Sequence, residues 1–309
     1  MSSSSIAVAA SHQIDDALYN RQLYVYGHEA QHRMSSASIL ILGMNGLGAE
    51  TAKNIILAGV KSVTVADNTP TTFLDLASQF YLNESHIGQP RAEACVSSLQ
   101  SLNPYVQVIL YEGDITNELL SQFTVVVLID QPYALQLRIS EFCHERSIAF
   151  IVGDVKGLCG MTFCDFGPNF TVVDNNGEAA ASSMIASIIT KDTNTKALVT
   201  VLEETPHKLE TGDVVSISDV VGMEFINGQE FRVTVKDLFS FEIDLNTSGT
   251  DFATYQTGGY INQIKQPTTV CFQSLKESIE NPAFCCDWTK LEKAPLLHAA
   301  FRYPHCHCF

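Results

Sequence analysis

The chain has 309 residues, 46% hydrophobic and 17% charged, with a formal net charge of −16. That is apolar mass for one large or two ordinary domains, while its longest apolar runs, such as residues 125–129, are strand-length and far short of the roughly 20 residues a membrane helix needs. So acidic a chain, without a visible basic patch, repels nucleic acid and anionic membrane, and nine cysteines without a repeating spacing argue against a disulfide framework and for a reducing compartment.

Residues 1–13 are serine-rich and lack the basic start and long apolar core of a secretory signal, so a disordered tail is expected. Residues 14–33 read as a short helix, a turn at Gly27 and a second helix. The plain expectation for its arginines, Arg21 and Arg33, is a surface ion pair. Residues 38–67 then read as strand, glycine turn, helix and strand. Gly43 ends the first strand, Gly46 and Gly48 open the helix, and Ala52, Ile55, Ile56 and Gly59 mark its apolar face. Asp67 closes the second strand, roughly where a ribose hydroxyl would be met in a nucleotide-binding βαβ unit. Asn45, however, occupies the position where bare backbone should approach a phosphate. Two readings stay open: a phosphate cradle at the helix N-terminus, or a structural α/β turn whose glycines serve only packing.

Next come a helix start at 71–75 followed by 77–82, a helix at 89–102 closed by Asn103-Pro104, and a strand at 106–111. A buried strand at 125–128 ends at Asp130, a helix follows at 134–146, and another buried strand lies at 148–152. Strands alternating with helices give an α/β, doubly wound, mostly parallel sheet. After a glycine-punctuated stretch at 157–163 the rhythm changes. Short β-rich runs at 171–173, 198–202, 214–218, 231–235 and 239–243 are separated by turn signals that include Asn227-Gly228 and Gly258-Gly259. They predict a small β-barrel or sandwich. A strand at 270–272 and a helix at 275–279 then restore the α/β pattern, which favours insertion over a tandem arrangement. The expected division is tail 1–13, α/β domain 14–168, β insertion 169–266 and a return to α/β over 267–309.

Two further constellations invite chemistry. His305-Cys306-His307-Cys308, with His298 nearby, offers metal-ligating residues, but as one compact cluster at a chain end rather than two spaced pairs. Cys285-Cys286 lacks a cationic neighbour other than Lys290, and Asp287 opposes thiolate formation. Cys95, Cys143, Cys159, Cys164 and Cys271 sit in apolar segments, where packing is the default role. No metal site is expected.

Specific motifs add to this reading. Leu18-Tyr19-Asn20-Arg21-Gln22-Leu23-Tyr24-Val25-Tyr26-Gly27, the helix-opening run from Gly46 to Lys61, and Asp75-Leu76-Ala77-Ser78-Gln79-Phe80-Tyr81-Leu82 closely resemble the ubiquitin-activating enzyme family. So do Glu141-Phe142-Cys143-His144 and the run from Gly212 to Met223. The resemblance implies a Rossmann-like domain with an inserted β-barrel, the latter corresponding to the first half of the catalytic-cysteine region. Members of this family adenylate the ubiquitin C-terminus with ATP and Mg, then pass it to a cysteine as a thioester. They carry two adenylation halves of which only the second is active, and this chain resembles the first.

On that basis Gly43, Gly46, Gly48, Asp67 and Asp130 are a vestigial nucleotide site, and no tightly bound cofactor is expected on this chain alone. Asp75 or Ala77, and Ser78, stand where the active half has an Asn and an Arg, and Arg91 stands where it has a phosphate-steadying lysine. The two acids Asp67 and Asp130, expected to lack cationic partners, would repel phosphates. Arg21 is the implied catalytic residue, reaching in trans to ATP held by the active half. The implied partners are ubiquitin and that active half, and the implied location is cytoplasmic and nuclear. The alternative is a non-catalytic subunit or regulator of a SUMO-type activating complex.

Overall fold

The computed structural model describes residues 15–190, 196–245, 254–282 and 293–302. Contacts divide the chain into two compact units, Thr171–Val270 and the chain on either side of it.

The flanking unit begins with α1, Asp16–Ser36, which breaks at Gly27 (φ 78°, ψ 169°), a conformation a side chain would resist. Then follow β1 (Ser38–Leu42), α2 (Gly46–Ala58), β2 (Ser62–Ala66), α3 (Arg91–Gln100), β3 (Gln107–Leu110), α4 (Asn117–Leu120), β4 (Val125–Ile129), α5 (Tyr133–Glu145), β5 (Ala149–Lys156) and β6 (Cys159–Asp165). The strands lie in the order β3-β2-β1-β4-β5-β6. The first five are parallel and β6 turns back against β5. Alternation sends Ile39 and Ile41 to one face, with Ile56, Val65 and Leu99, and Leu40 and Leu42 to the other, with Leu128, Ile139 and Phe150. Both faces are covered, which is why these strands read as unbroken apolar runs. Strand order reverses between β1 and β4, and ligands of open α/β sheets bind in the crevice at such carboxyl ends.

One stretch left unassigned in this unit proves to be a strand, and one sequence expectation fails. The unassigned stretch is 157–163. Gly157 (φ 60°) makes a hairpin turn, and β6 pairs with β5 from Phe150↔Asp165 to Lys156↔Cys159. Its glycines and alternating exposure hid an edge strand. The helix expected over 77–82 is absent. Only a 3₁₀ turn, Asp75–Ala77, forms there, because the buried Gln79 side chain takes the Tyr81 N–H (3.0 Å) and donates to the Met44 carbonyl (3.2 Å), which fixes an irregular path.

In the other unit, β8 (Ser182–Thr190), β9 (Lys196–Val201), β10 (Val214–Val221), β11 (Glu230–Val235), β12 (Ser240–Asp244) and β13 (Thr257–Ile264) close a barrel in the order β10-β11-β12-β9-β8-β13. Closure removes sheet edges, and Val199, Val215, Ile217, Phe241 and Ile261 fill the interior. Preceding and following the barrel, β7 (Phe170–Val172) and β14 (Thr268–Val270) pair as a two-stranded ribbon. β8 and β13 were not legible as strands, and Gly258-Gly259 is not a turn between strands. Both glycines lie inside β13 at positive φ. The register with β10 continues unshifted from Ser218↔Tyr260 to Val220↔Gly258, which sets Asp219, itself at φ 58°, opposite Gly259. A Cβ at Gly259 would lie 2.6 Å from Val220 Cγ2, so close approach of β10 requires glycine there.

Beyond the barrel, α6 (Leu275–Glu280) and α7 (Lys293–Arg302) belong to the first unit. Leu275 is fully enclosed in the β4–β5 core, and its N–H donates to Ser140 Oγ (3.1 Å). Among the described residues no helix is long and apolar enough to cross a membrane.

Candidate functional site

The glycine turn sits at the sheet's switch point, and each of its glycines is used by the fold itself. Gly43 has φ 101°, and a Cβ there would lie 2.2 Å from the Ile129 carbonyl oxygen at the end of β4. A Cβ at Gly48 would lie 2.0 Å from the Gly43 carbonyl oxygen, and one at Gly46 would lie 2.8 Å from Ser78. Asn45 caps α2: its Oδ1 accepts the Gly48 N–H at 3.0 Å. Its Nδ2 donates to Asp130 Oδ2, whose other oxygen accepts the Val155 N–H at 2.9 Å. A phosphate arriving at this helix end would compete with an internal cap for the same N–H groups.

The neighbouring carboxylates are also engaged. Asp67 accepts N–H bonds from Met44 (2.7 Å) and Thr69 (2.9 Å), and Arg91 Nε donates to its Oδ2 at 2.9 Å. A second guanidinium nitrogen of Arg91 reaches Asp75 Oδ1 at 3.0 Å. This corrects the expectation that Asp67 lacks a cationic partner: Arg91 is bound between two acids, with 17% of its side chain exposed. Burial acts to raise the Asp75 carboxyl, but the Thr72 N–H and hydroxyl and the Arg91 guanidinium outweigh it and hold it below its ordinary value. Arg91 is correspondingly raised: burial opposes its charge, and Asp67 and Asp75 prevail. Among the described residues Asp130 has no such cation; its partners there are Asn45 and the Val155 amide. The arrangement leaves little free hydrogen-bonding capacity for nucleotide phosphates. Gln79, holding the Met44 carbonyl beside the turn, was not singled out from sequence, where only its adjacency to Phe80 marked it.

Arg21 lies elsewhere. Tyr19 packs against Gly59, and its hydroxyl accepts from Asn103 Nδ2 at 2.9 Å, while Gln31 donates to the Ala58 carbonyl at 3.2 Å. Both anchors grip the C-terminal end of α2, roughly 20 Å along a 13-residue helix from the glycine turn. The structure thus does not bring Arg21 to the turn of its own unit. Arg21 is exposed, and among the described residues it makes no ion pair or side-chain hydrogen bond. Arg33 does form the expected surface pair, with Glu29 at 2.8 Å. Tyr24, Val25 and Tyr26, just beyond Arg21, are exposed by 92%, 70% and 61%, an apolar run left uncovered among the described residues.

The other constellations resolve unevenly. His305 to Cys308 and Cys285-Cys286 lie outside the described residues. Among the described residues no group of three His, Cys, Asp or Glu side chains could hold a metal ion. Cys95 and Cys143 are packed in the core, where burial pushes each thiol up to about 12. Cys159 and Cys271, by contrast, are exposed, on an edge strand and beside the ribbon respectively, so packing is not their role.

With this geometry in view, comparison with known proteins is decisive about ancestry. Residues 19–211 match the model of the ThiF family, and the chain belongs to that family. Residues 194–265 match the ubiquitin-activating enzyme E1 FCCH domain, and 266–303 the ubiquitin-activating enzyme E1 four-helix bundle. Its relatives include ubiquitin-like modifier-activating enzyme 1 of Mus musculus, 45% identical over 297 residues, and ubiquitin-activating enzyme E1 1 of Schizosaccharomyces pombe, 44% identical over 291. These alignments cover 96% and 94% of this chain but 28% of each relative, so the chain spans little more than a quarter of their length. The crystal structure of E. coli MccB with MccA superposes at a TM-score of 0.41 with 19% identity, covering 46% of this chain and 45% of that one.

Proposed function

We propose that the chain is the N-terminal portion of an enzyme that adenylates the ubiquitin C-terminus with ATP and transfers it to a cysteine, and that it supplies the non-catalytic adenylation half. The observation that carries this reading is Arg91, bound between Asp67 and Asp75 in the crevice where a nucleotide would otherwise sit. The capped N-terminus of α2 points the same way. These residues do not fit a bound nucleotide, so ATP and Mg are assigned to the active half. Arg21, unpaired and exposed beside Tyr24, Val25 and Tyr26, is suited to a surface that meets that half and to delivering a guanidinium to phosphates held there. The barrel is proposed as part of the ubiquitin platform, and the cell compartments as cytoplasm and nucleus.

The test is ATP–pyrophosphate exchange with ATP, magnesium and ubiquitin. The chain alone is expected to support none, and addition of an active adenylation half is expected to restore it. Robust exchange by the chain alone would overturn the reading.

A further inference from the structure

Three aspartates are buried in the α/β unit, and two of them are fully served. Asp67 has Met44, Thr69 and Arg91; Asp165 has the Gly167 N–H at 2.8 Å and His144 Nδ1 at 2.9 Å. Asp154, only 5% exposed near the end of β5, is different. Its Oδ2 accepts one neutral donor, Gln136 Nε2, at 2.9 Å. Its Oδ1 is shut off from solvent and has no hydrogen-bond partner. No cation is paired with it among the described residues. A buried carboxylate with a bare oxygen loses its hydration without replacement, whereas a carboxylic acid in the same place carries no net charge to desolvate.

The surroundings disfavour the charge further. Asp130, at the end of the adjacent strand, accepts N–H bonds on both oxygens, the pattern of a carboxylate, and its own N–H goes to the Gly153 carbonyl at 3.1 Å, next to Asp154. α5 offers Gln136, a neutral amide, and β6 opposes Asp154 with Met161. Lys156 is on the same strand, but its ammonium is turned to the Ala300 carbonyl (3.4 Å) and the Phe301 ring (5.4 Å). Burial raises the Asp154 carboxyl above its ordinary value; Gln136, Lys156 and the Asp130 backbone N–H pull it down, the Asp130 charge adds to the rise, and the rise prevails.

We propose that Asp154 carries a proton, and that this proton keeps the clasp that ties Asn45, and so the glycine turn, to the β4 and β5 ends. Loss of the proton places a second negative charge beside Asp130. The repulsion is relieved by releasing Asp130 from Val155 and Asn45. The clasp is then a pH-sensitive closure of the crevice, built from residues that the adenylation chemistry does not require.

The experiment labels the aspartate side-chain carboxyl carbons of the full chain with ¹³C and follows their shifts with pH. One signal is expected to titrate last, with a midpoint above 3.8, to vanish in Asp154→Asn, and to move further up in Gln136→Leu, which removes its side-chain donor. If all midpoints lie at or below 3.8, or the last signal is unmoved by Gln136→Leu, the assignment fails even should Asp154→Asn not fold. Amide exchange tests the clasp: protection at Val155 and Gly48, corrected for intrinsic rate, should be lost through that same midpoint. Protection that ignores the midpoint would overturn the closure.

Discussion

Arg91 Nε donates to Asp67 Oδ2 at 2.9 Å, and the same guanidinium reaches Asp75 Oδ1 at 3.0 Å. One cation, at the start of α3, thereby neutralises two acids of the connection between β2 and α3 at the carboxyl edge of the sheet. The contact is largely shielded from water, so the fold depends on it more than on a surface pair.

Arg91→Ala is therefore expected to destabilise the chain by about 3 kcal/mol, because two partly buried carboxylates lose their counterion. Arg91→Lys should cost less, since an ammonium keeps the charge but not the two-directional fork. Urea unfolding at neutral pH measures both.

Acid should act through Asp75. Its carboxyl is held below the ordinary value of 3.8, so its contribution is present above that value and is lost as pH falls through the lower folded value. Wild type is expected to lose stability on acidification over that window. Asp75→Asn, with no charge to protonate, should show a shallower acid slope in thermal melts.

Asn45→Gly restores the glycine that a phosphate-binding turn would have, and it separates one obstacle from the others. Loss of the cap to Gly should cost only a few tenths of a kcal/mol. No MgATP binding is expected by titration calorimetry, because Arg91, Asp67 and Asp75 remain bound to one another. Measurable heat of binding would mean that Asn45 alone had closed the site.

Two glycines distinguish sterics from backbone conformation. Gly48→Ala sets a Cβ 2.0 Å from a carbonyl oxygen and should cost about 3 kcal/mol through forced movement of the turn. Gly157→Ala meets nothing within 4 Å at φ 60°, so only the left-handed conformation is disfavoured, at about 1 kcal/mol. Thermal melts of the two variants should differ accordingly.

Arg21→Ala should leave folding stability within about 0.5 kcal/mol, as for an exposed side chain without partners. In an enzyme that contains both halves it should slow adenylation by roughly 10³-fold, in the range seen for guanidinium groups supplied to transferring phosphates. An unchanged pyrophosphate-exchange rate would remove Arg21 from the site.

The parts of this architecture that were legible are those where one residue pattern has one structural meaning. Unbroken runs such as residues 125–129 can only be strands covered on both faces, and Gly43, Gly46 and Gly48 require a tight strand-to-helix turn. The site was legible by residue but not by bonding. Arg91 was marked as a residue of interest, yet sequence could not reveal that Asp67 and Asp75 come together around it across 24 and 16 residues of chain. Asp154 gave no signal at all, since its distinction is an oxygen that nothing touches. β13 was missed because its two glycines lie inside the strand at positive φ, and glycine pairs in sequence look the same whether they end a strand or lie within it.

The place where the chain leaves the α/β unit and the place where it returns are held together. The Phe272 N–H donates to the Gly167 carbonyl at 3.1 Å, and Phe166, Phe170 and Phe272 pack with ring centroids 4.9–6.0 Å apart. Leu275 then fills the core behind Ser140. During synthesis this last apolar plug emerges only after the whole of Thr171–Val270 has been made, a wait of about 5 to 20 s at ordinary elongation rates. Until then the face of the sheet that awaits Leu275 stays open, so the first-made unit is the last to be finished.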